Sequence, residues 1–145
     1  MADDQTPAKV TYPYMTAGQW FAVRDRLRKS VPKEIDVDWI MAALGGSEKG
    51  AQNLLPQLRA VGLVSTDNKP VDGLVHDLRD DATYGEACRR VRESLYPAAL
   101  LESWNDPDED SDKVAAWFMR NAGTGAATAK MQARLYLCLL YTSDA

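Results

Sequence analysis

Residues 38–64 read DWIMAALGGSEKGAQNLLPQLRAVGLV, and this stretch decides the fold. Apolar residues recur at helical spacing around Ile40, and two glycines at 45–46 interrupt them. Ser47, a residue type favoured at helix N-caps, opens a second apolar run that includes Leu58. The stretch therefore predicts two helices joined by a tight turn. This helix-turn-helix unit commonly presents its second helix to the major groove of DNA.

The same pattern recurs in residues 112–140, which read DKVAAWFMRNAGTGAATAKMQARLYLCLL. Trp117 and Phe118 precede a break at 121–123, and Thr124 is expected to open the next helix. The alignment pairs Gly46-Ser47 with Gly123-Thr124, Leu54 with Met131, and Leu58 with Leu135. The sequence thus predicts two copies of one unit.

A further helix and a turn flank the first copy. Thr16 is a suitable cap for a helix that runs to Ser30. After the first copy, residues 63–65 and Val71 flank the turn Asp67-Asn68-Lys69-Pro70, which favours a short two-stranded β-hairpin. Three helices followed by a hairpin is the order of a winged helix, with Lys69 at the tip of the wing. The chemistry of the turn also explains these residues without a ligand.

The predicted fold class is mainly α: a winged helix-turn-helix-like unit with a short β-hairpin, a helical region, and a truncated second helix-turn-helix-like unit. The expected segments are a disordered tail at 1–11, a winged-helix-like unit at 12–80, connecting helices at 81–104, an acidic linker at 105–112 and the truncated second unit at 113–137. Residues 138–145, CLLYTSDA, resemble the translation of a transposase-derived sequencing adapter; the alternative is the natural end of an amphipathic helix. We therefore expect a gene fragment whose native sequence ends near Leu137, and we give Cys138 no functional weight.

Composition places the chain among ordinary globular proteins. Of its 145 residues 46% are hydrophobic and 26% charged, and the net charge is -4. The acidic balance argues against a general nucleic-acid coat protein but permits a local basic face. No apolar run approaches the roughly 20 residues that cross a bilayer, and no secretory leader pattern begins the chain. We expect a cytoplasmic protein in which Cys88 and Cys138 stay reduced.

Little in the sequence indicates catalysis. His76 is the only histidine, so a paired-histidine zinc site and a conventional His-based triad are both hard to build. No phosphate-binding glycine loop is present. The acidic cluster at 106–112 lacks the spacing of a calcium loop and is typical of a solvated linker. We expect a protein that is not an enzyme, with no cofactor, no metal and no catalytic residues.

The candidate nucleic-acid-binding residues are polar side chains on the two second helices and at the wing. They are Lys49, Gln52 and Asn53 on the first, Lys130 and Arg134 on the second, and Lys69 at the turn. Asn and Gln can read adenine edges, while Lys and Arg contact guanine or phosphate. Arg24, Arg28 and Lys29 on the preceding helix can likewise meet phosphate. All these residue types are also common on solvated helix faces.

These patterns leave two candidate partners. The first is double-stranded DNA. The alternative is a protein partner that docks on the same helices, in which case the chain is an interaction adaptor without nucleic-acid binding. We expect no membrane association.

Several short motifs resemble those of a bacterial family of domains of unknown function. They are Tyr12-Pro13-Tyr14-Met15-Thr16, Gly45-Gly46-Ser47, Leu55-Pro56-Gln57-Leu58 with Gly62-Leu63-Val64, and Leu78-Arg79-Asp80. The resemblance covers residues 12–137. It implies a winged-helix-like domain with no established catalytic residues, and it supplies no functional residues of its own.

Overall fold

The computed structural model describes residues 12–144 and confirms a mainly α-helical protein. The helices of this range are α1 (Ala17–Lys29), α2 (Val37–Leu44), α3 (Glu48–Ala60), α4 (Asp72–Arg79), α5 (Asp81–Leu95), α6 (Ala98–Ser103), α7 (Ser111–Ala122) and α8 (Ala126–Asp144). Within the described residues, β structure is limited to one isolated antiparallel bridge between Val64 and Pro70.

Local capping explains where the first helices begin. The Thr16 hydroxyl accepts the Gln19 N–H at 3.0 Å, and the Gln19 side chain accepts the Thr16 N–H at 2.9 Å. Ser47 caps α3 by accepting the Gly50 N–H at 3.0 Å. Each bond satisfies a backbone N–H that has no partner within the helix. The predicted caps at Thr16 and Ser47 are both confirmed.

A left-handed glycine makes the turn of the first unit. Gly45 ends α2 with φ 73° and ψ 18°, a conformation that residues with a Cβ rarely adopt. Because α3 starts at Glu48, the turn is short and α2 packs directly on α3. Ile40 and Leu58 are buried in their shared core, and α1 adds Trp20 to it.

The expected two-stranded hairpin does not form a sheet. The Ser65 N–H donates to the Lys69 carbonyl at 2.8 Å, and the Val71 N–H donates to the Leu63 carbonyl at 2.9 Å. The ladder goes no further because the reciprocal donors are engaged elsewhere: the Leu63 N–H donates to the Leu58 carbonyl at 3.0 Å, and the Lys69 N–H donates to the Ser65 hydroxyl at 3.0 Å. The prediction of a regular wing is therefore wrong, although a bridged turn stands in its place. The Ile35 N–H donates to the Asn68 carbonyl at 2.7 Å and fastens this turn to the segment before α2.

The second unit repeats the first in a register that differs by one residue from the predicted alignment. Gly123 ends α7 with φ 69° and ψ 26°, so it corresponds to Gly45 rather than to Gly46. Buried positions then coincide in pairs: Ala51 with Ala129, Leu54 with Gln132, Leu55 with Ala133, Leu58 with Tyr136, and Val61 with Leu139. The predicted pairing of Leu54 with the half-buried Met131 is wrong.

The predicted cap of the last helix is also wrong. The last helix begins at Ala126, and the Thr124 hydroxyl donates instead to the Gln132 side chain at 3.0 Å. The last two residues of the linker expected at 105–112 belong to α7, which begins at Ser111. Asp110 caps this helix by accepting the Asp112 N–H at 2.9 Å.

Two buried glutamines hold the segment before α1 between the units. Gln57 accepts the Tyr14 N–H at 2.8 Å, and Gln132 donates to the Tyr12 carbonyl at 3.2 Å. The Tyr12 ring packs 5.6 Å from the Tyr96 ring and 5.4 Å from the Phe118 ring, measured between centroids. This short extended segment therefore contacts both helix-turn-helix units.

Helix α5 supports the second unit from the other side by packing against α4 and α8. The end of α8 lies against α5, where a Cβ on Gly85 would come within 3.2 Å of the Thr142 carbonyl oxygen. Leu139 and Leu140 are buried there. The adapter interpretation of 138–145 concerns the origin of these codons and stays a prediction. The tail expected at 1–11 lies outside the described residues.

Candidate nucleic-acid interface

The outer face of α3 carries an exposed stripe of Lys49, Gln52, Asn53 and Pro56, which we call the α3 stripe. Their spacing places them on one side of the helix, because side chains three and four residues apart are neighbours on a helix surface. The opposite side carries Leu54 and Leu58, which are buried. The predicted exposure of Lys49, Gln52 and Asn53 is therefore confirmed.

The side chains of the α3 stripe differ in whether they already form hydrogen bonds or ion pairs within the protein. Gln52 donates to the Glu48 carboxylate at 3.3 Å. Lys49 has no ion pair, and the Asn53 amide has no hydrogen bond, with any described residue. The Asn53 backbone lies within α3, and its carbonyl accepts from the Gln57 side chain at 3.1 Å. Asn53 and Lys49 thus offer unoccupied polar groups to a ligand.

A groove of about 260 Å³ runs beside the α3 stripe. Its lining consists of Pro13, Tyr14, Gln52, Asn53, Pro56, Gln57 and Ala60. The hydrogen bond from the Tyr14 N–H to Gln57 fixes one wall against α3. This groove, which we call the Tyr14 groove, joins residues that are far apart in sequence and could not be found from helical spacing.

Lys69 lies on the bridged turn but is not a free cation. Its ammonium is 3.8 Å from the Glu34 carboxylate, and both side chains are 54% exposed. The neighbouring Asp67 accepts a hydrogen bond from the Ser65 hydroxyl, which lowers the pKa of the Asp67 carboxyl. The positive charge of Lys69 is therefore balanced by Glu34, and a phosphate would have to compete with Glu34 for it.

The second unit presents Lys130 and Arg134, both exposed and one helical turn apart on α8. Neither forms an ion pair with a described residue. Because α8 packs on α5 and α7 rather than on α3, these cations are not part of the α3 stripe. The six candidate residues thus fall into three groups: the α3 stripe, the turn and α8.

Arg24 proves to be a packing residue. It donates from Nε to the Leu78 carbonyl at 2.7 Å and from Nη2 to Asp81 at 2.7 Å. Its guanidinium also lies 3.8 Å from the centre of the Tyr84 ring. The hydrogen bond from Arg24 lowers the pKa of the Asp81 carboxyl, with Arg28 adding to the effect. Arg24 is consequently unavailable to phosphate.

A larger groove of about 370 Å³ lies between α1, α2 and α3. Its apolar lining includes Ala22, Ile40, Met41, Leu44 and Leu54. Gly18, Gly46 and Gly50 also border it. We call it the α1–α3 groove. Sequence analysis missed it because it is formed only when these helices pack together.

The described residues do not favour metal or thiol chemistry. No group of three or more His, Cys, Asp or Glu side chains among them is arranged to hold a metal ion. Burial raises the pKa of the Cys88 thiol to about 11, so the nucleophilic thiolate is scarce at neutral pH. No helix in the described part of the chain is long and apolar enough to cross a membrane.

Comparison with protein-family models, curated proteins and solved structures gave no match. The resemblance to a bacterial family of unknown function therefore stays an expectation.

Proposed function

We propose that the protein is a helix-turn-helix DNA-binding or regulatory module that presents α3 to the major groove of a duplex. The observation that carries this proposal is the α3 stripe. It is exposed, it follows a glycine turn, and its helix is anchored from behind by Leu54 and Leu58. This arrangement is typical of helices that read base edges. It would act in the bacterial cytoplasm, where the DNA is.

The charge on this surface sets the strength of binding. Lys49 forms no ion pair with a described residue, whereas the Lys69 ammonium must leave the Glu34 carboxylate to contact a phosphate. Two phosphate contacts correspond to a slope of about -2 in log affinity against log salt, because each contact releases roughly one condensed counterion. We therefore expect modest affinity at physiological salt and a clear gain at low salt.

Fluorescence anisotropy of the full chain with a mixed-sequence duplex, measured over a salt series, tests the proposal. Lys49→Ala combined with Lys69→Ala should weaken binding and flatten the slope. Lys130→Ala combined with Arg134→Ala removes the same charge from α8 and serves as the matched control. Equal loss in both double variants would indicate attraction by general charge, and unchanged binding in the first would sink the α3 docking geometry.

The α1–α3 groove favours a second candidate function, an adaptor that docks an apolar segment of another protein. Its lining is largely apolar and its volume lies within the range of ligand pockets, about 300–1,000 Å³. Such a complex would tolerate salt, unlike a DNA complex. A Cβ on Gly46 meets open space, so Gly46→Trp should obstruct the groove and leave the α3 stripe untouched. Loss of a salt-tolerant protein complex in this variant, with duplex affinity retained, would support the adaptor.

A further inference from the structure

Two amides of the α3 stripe are chemically alike but differ in availability. The Gln52 amide already donates to Glu48. The Asn53 amide is exposed and free of hydrogen bonds to described residues, while its backbone is held in α3. Of the two, Asn53 can offer both its donor and its acceptor to a base edge without first breaking a bond.

The Tyr14 groove lies next to that amide and has an apolar character despite its glutamine. Both ends of the Gln57 amide are engaged, one by the Tyr14 N–H and the other by the Asn53 carbonyl. Pro56 is exposed on the next turn and has no N–H to offer. Tyr14 and Pro56 therefore present carbon atoms beside the Asn53 amide.

We propose that the α3 stripe selects an A·T base pair, with Asn53 bound to adenine and the thymine methyl group placed against Pro56 and Tyr14. This inference rests on the proposed DNA-binding function and specifies what that surface recognises. The major-groove edge of adenine offers N7 as acceptor and the N6 amino group as donor, which match the Asn53 amide. Guanine offers two acceptors at N7 and O6, so the Asn53 carbonyl would face O6 without a hydrogen bond.

The apolar wall adds a second element of selection. Thymine carries a methyl group at C5 in the major groove, whereas cytosine carries only a hydrogen atom there. Changing A·T to G·C would therefore also remove the apolar contact with Pro56 and Tyr14. One well-placed bidentate contact between an asparagine amide and adenine favours the correct base by about tenfold. In this scheme Asn53 produces the preference for A·T, while Lys49 and Lys69 supply the affinity for any duplex by contacting phosphates.

The test uses the full chain and selection of bound sequences from a random duplex pool, followed by anisotropy on the selected duplex. We expect one A·T position whose change to G·C weakens binding about tenfold. Replacing that thymine by deoxyuridine removes only the methyl group and should produce a smaller loss. Asn53→Ala should abolish the A·T preference while keeping residual duplex affinity, and Gln52→Ala, the matched control, should keep the preference.

The outcomes separate the inference from the function on which it rests. If the chain binds no duplex even at low salt, the proposed function and the inference fall together. If it binds duplexes without an A·T preference, or keeps the preference after Asn53→Ala, the inference is overturned and DNA binding stands. Because Asn53 is exposed and alanine favours helix, circular dichroism should show that the variant remains folded.

Discussion

Replacing the buried Gln132 by leucine tests how the two units are joined. The Gln132 side chain is completely buried, donates to the Tyr12 carbonyl at 3.2 Å and accepts from the Thr124 hydroxyl at 3.0 Å. Leucine is the natural choice for the substitution because Leu54 occupies the matching position in α3. The variant Gln132→Leu keeps the side-chain volume nearly the same and removes both hydrogen bonds.

The expected loss follows from the groups left behind. Two hydrogen bonds contribute about 1 kcal/mol each, and an unpaired buried carbonyl costs about 1–3 kcal/mol. The added apolar surface of leucine offsets roughly 1 kcal/mol of this. The net loss in the free energy of unfolding is about 2–4 kcal/mol. This lowers the Tm of a chain of this size by roughly 6–12 °C.

Thermal and urea unfolding followed by circular dichroism measures this loss. Thr124→Val is the control, because it removes one of the two bonds and leaves Tyr12 paired. Its effect should be about half as large, and the two substitutions should not be additive in the double variant. A Gln132→Leu variant as stable as the parent chain would refute the role of this amide in holding the segment before α1.

Three further predictions concern the packing around α5 and α8. The Tyr96 hydroxyl is buried without a hydrogen bond to any residue of the described range 12–144, whereas the Tyr136 hydroxyl donates to the Trp104 carbonyl. Tyr96→Phe should therefore leave the urea midpoint unchanged or raise it, and Tyr136→Phe should lower it; the reverse order would contradict this hydrogen-bond assignment. Burial raises the pKa of Cys88 from 9.0 to about 11, so the folded state holds this proton more tightly and stability should fall as pH rises from about 9 to 11. Urea unfolding at pH 8 and pH 10 should show a smaller fall in Cys88→Ala than in the parent, and identical falls would exclude the thiol as a contributor. Ending the chain at Leu137 removes the buried Leu139 and Leu140 and should cost about 3–6 kcal/mol by the burial of two leucines; an unchanged unfolding free energy would show that the end of α8 does not pack on α5.

The candidate site was partly predictable because part of it depends on one helix. The spacing of Lys49, Gln52 and Asn53 along α3 was enough to place them on one exposed face. Whether each polar side chain is already held by an ion pair or a hydrogen bond was not predictable from the sequence. Arg24 is engaged by Asp81, which lies 57 residues away, and Lys69 is paired with Glu34 in the segment before α2. Neither partner follows from local periodicity.

The sequence by itself determined the local events of this fold. Thr16 and Ser47 cap helices because each needs only an N–H three residues ahead, and a glycine break ends the first helix of each unit. Such interactions are complete within a few residues, so the pattern of side chains specifies them.

Only the tertiary structure decided the register of the second unit, the contact between the bridged turn and the segment before α2, and the Tyr14 groove. Hydrophobic spacing favoured Met131 as the buried counterpart of Leu54, but Gln132 is buried instead because Tyr12 and Thr124 satisfy its amide. The Asn68 carbonyl likewise finds its partner in Ile35. A polar group can be buried only where distant residues supply hydrogen bonds, and that supply exists only after the chain has folded.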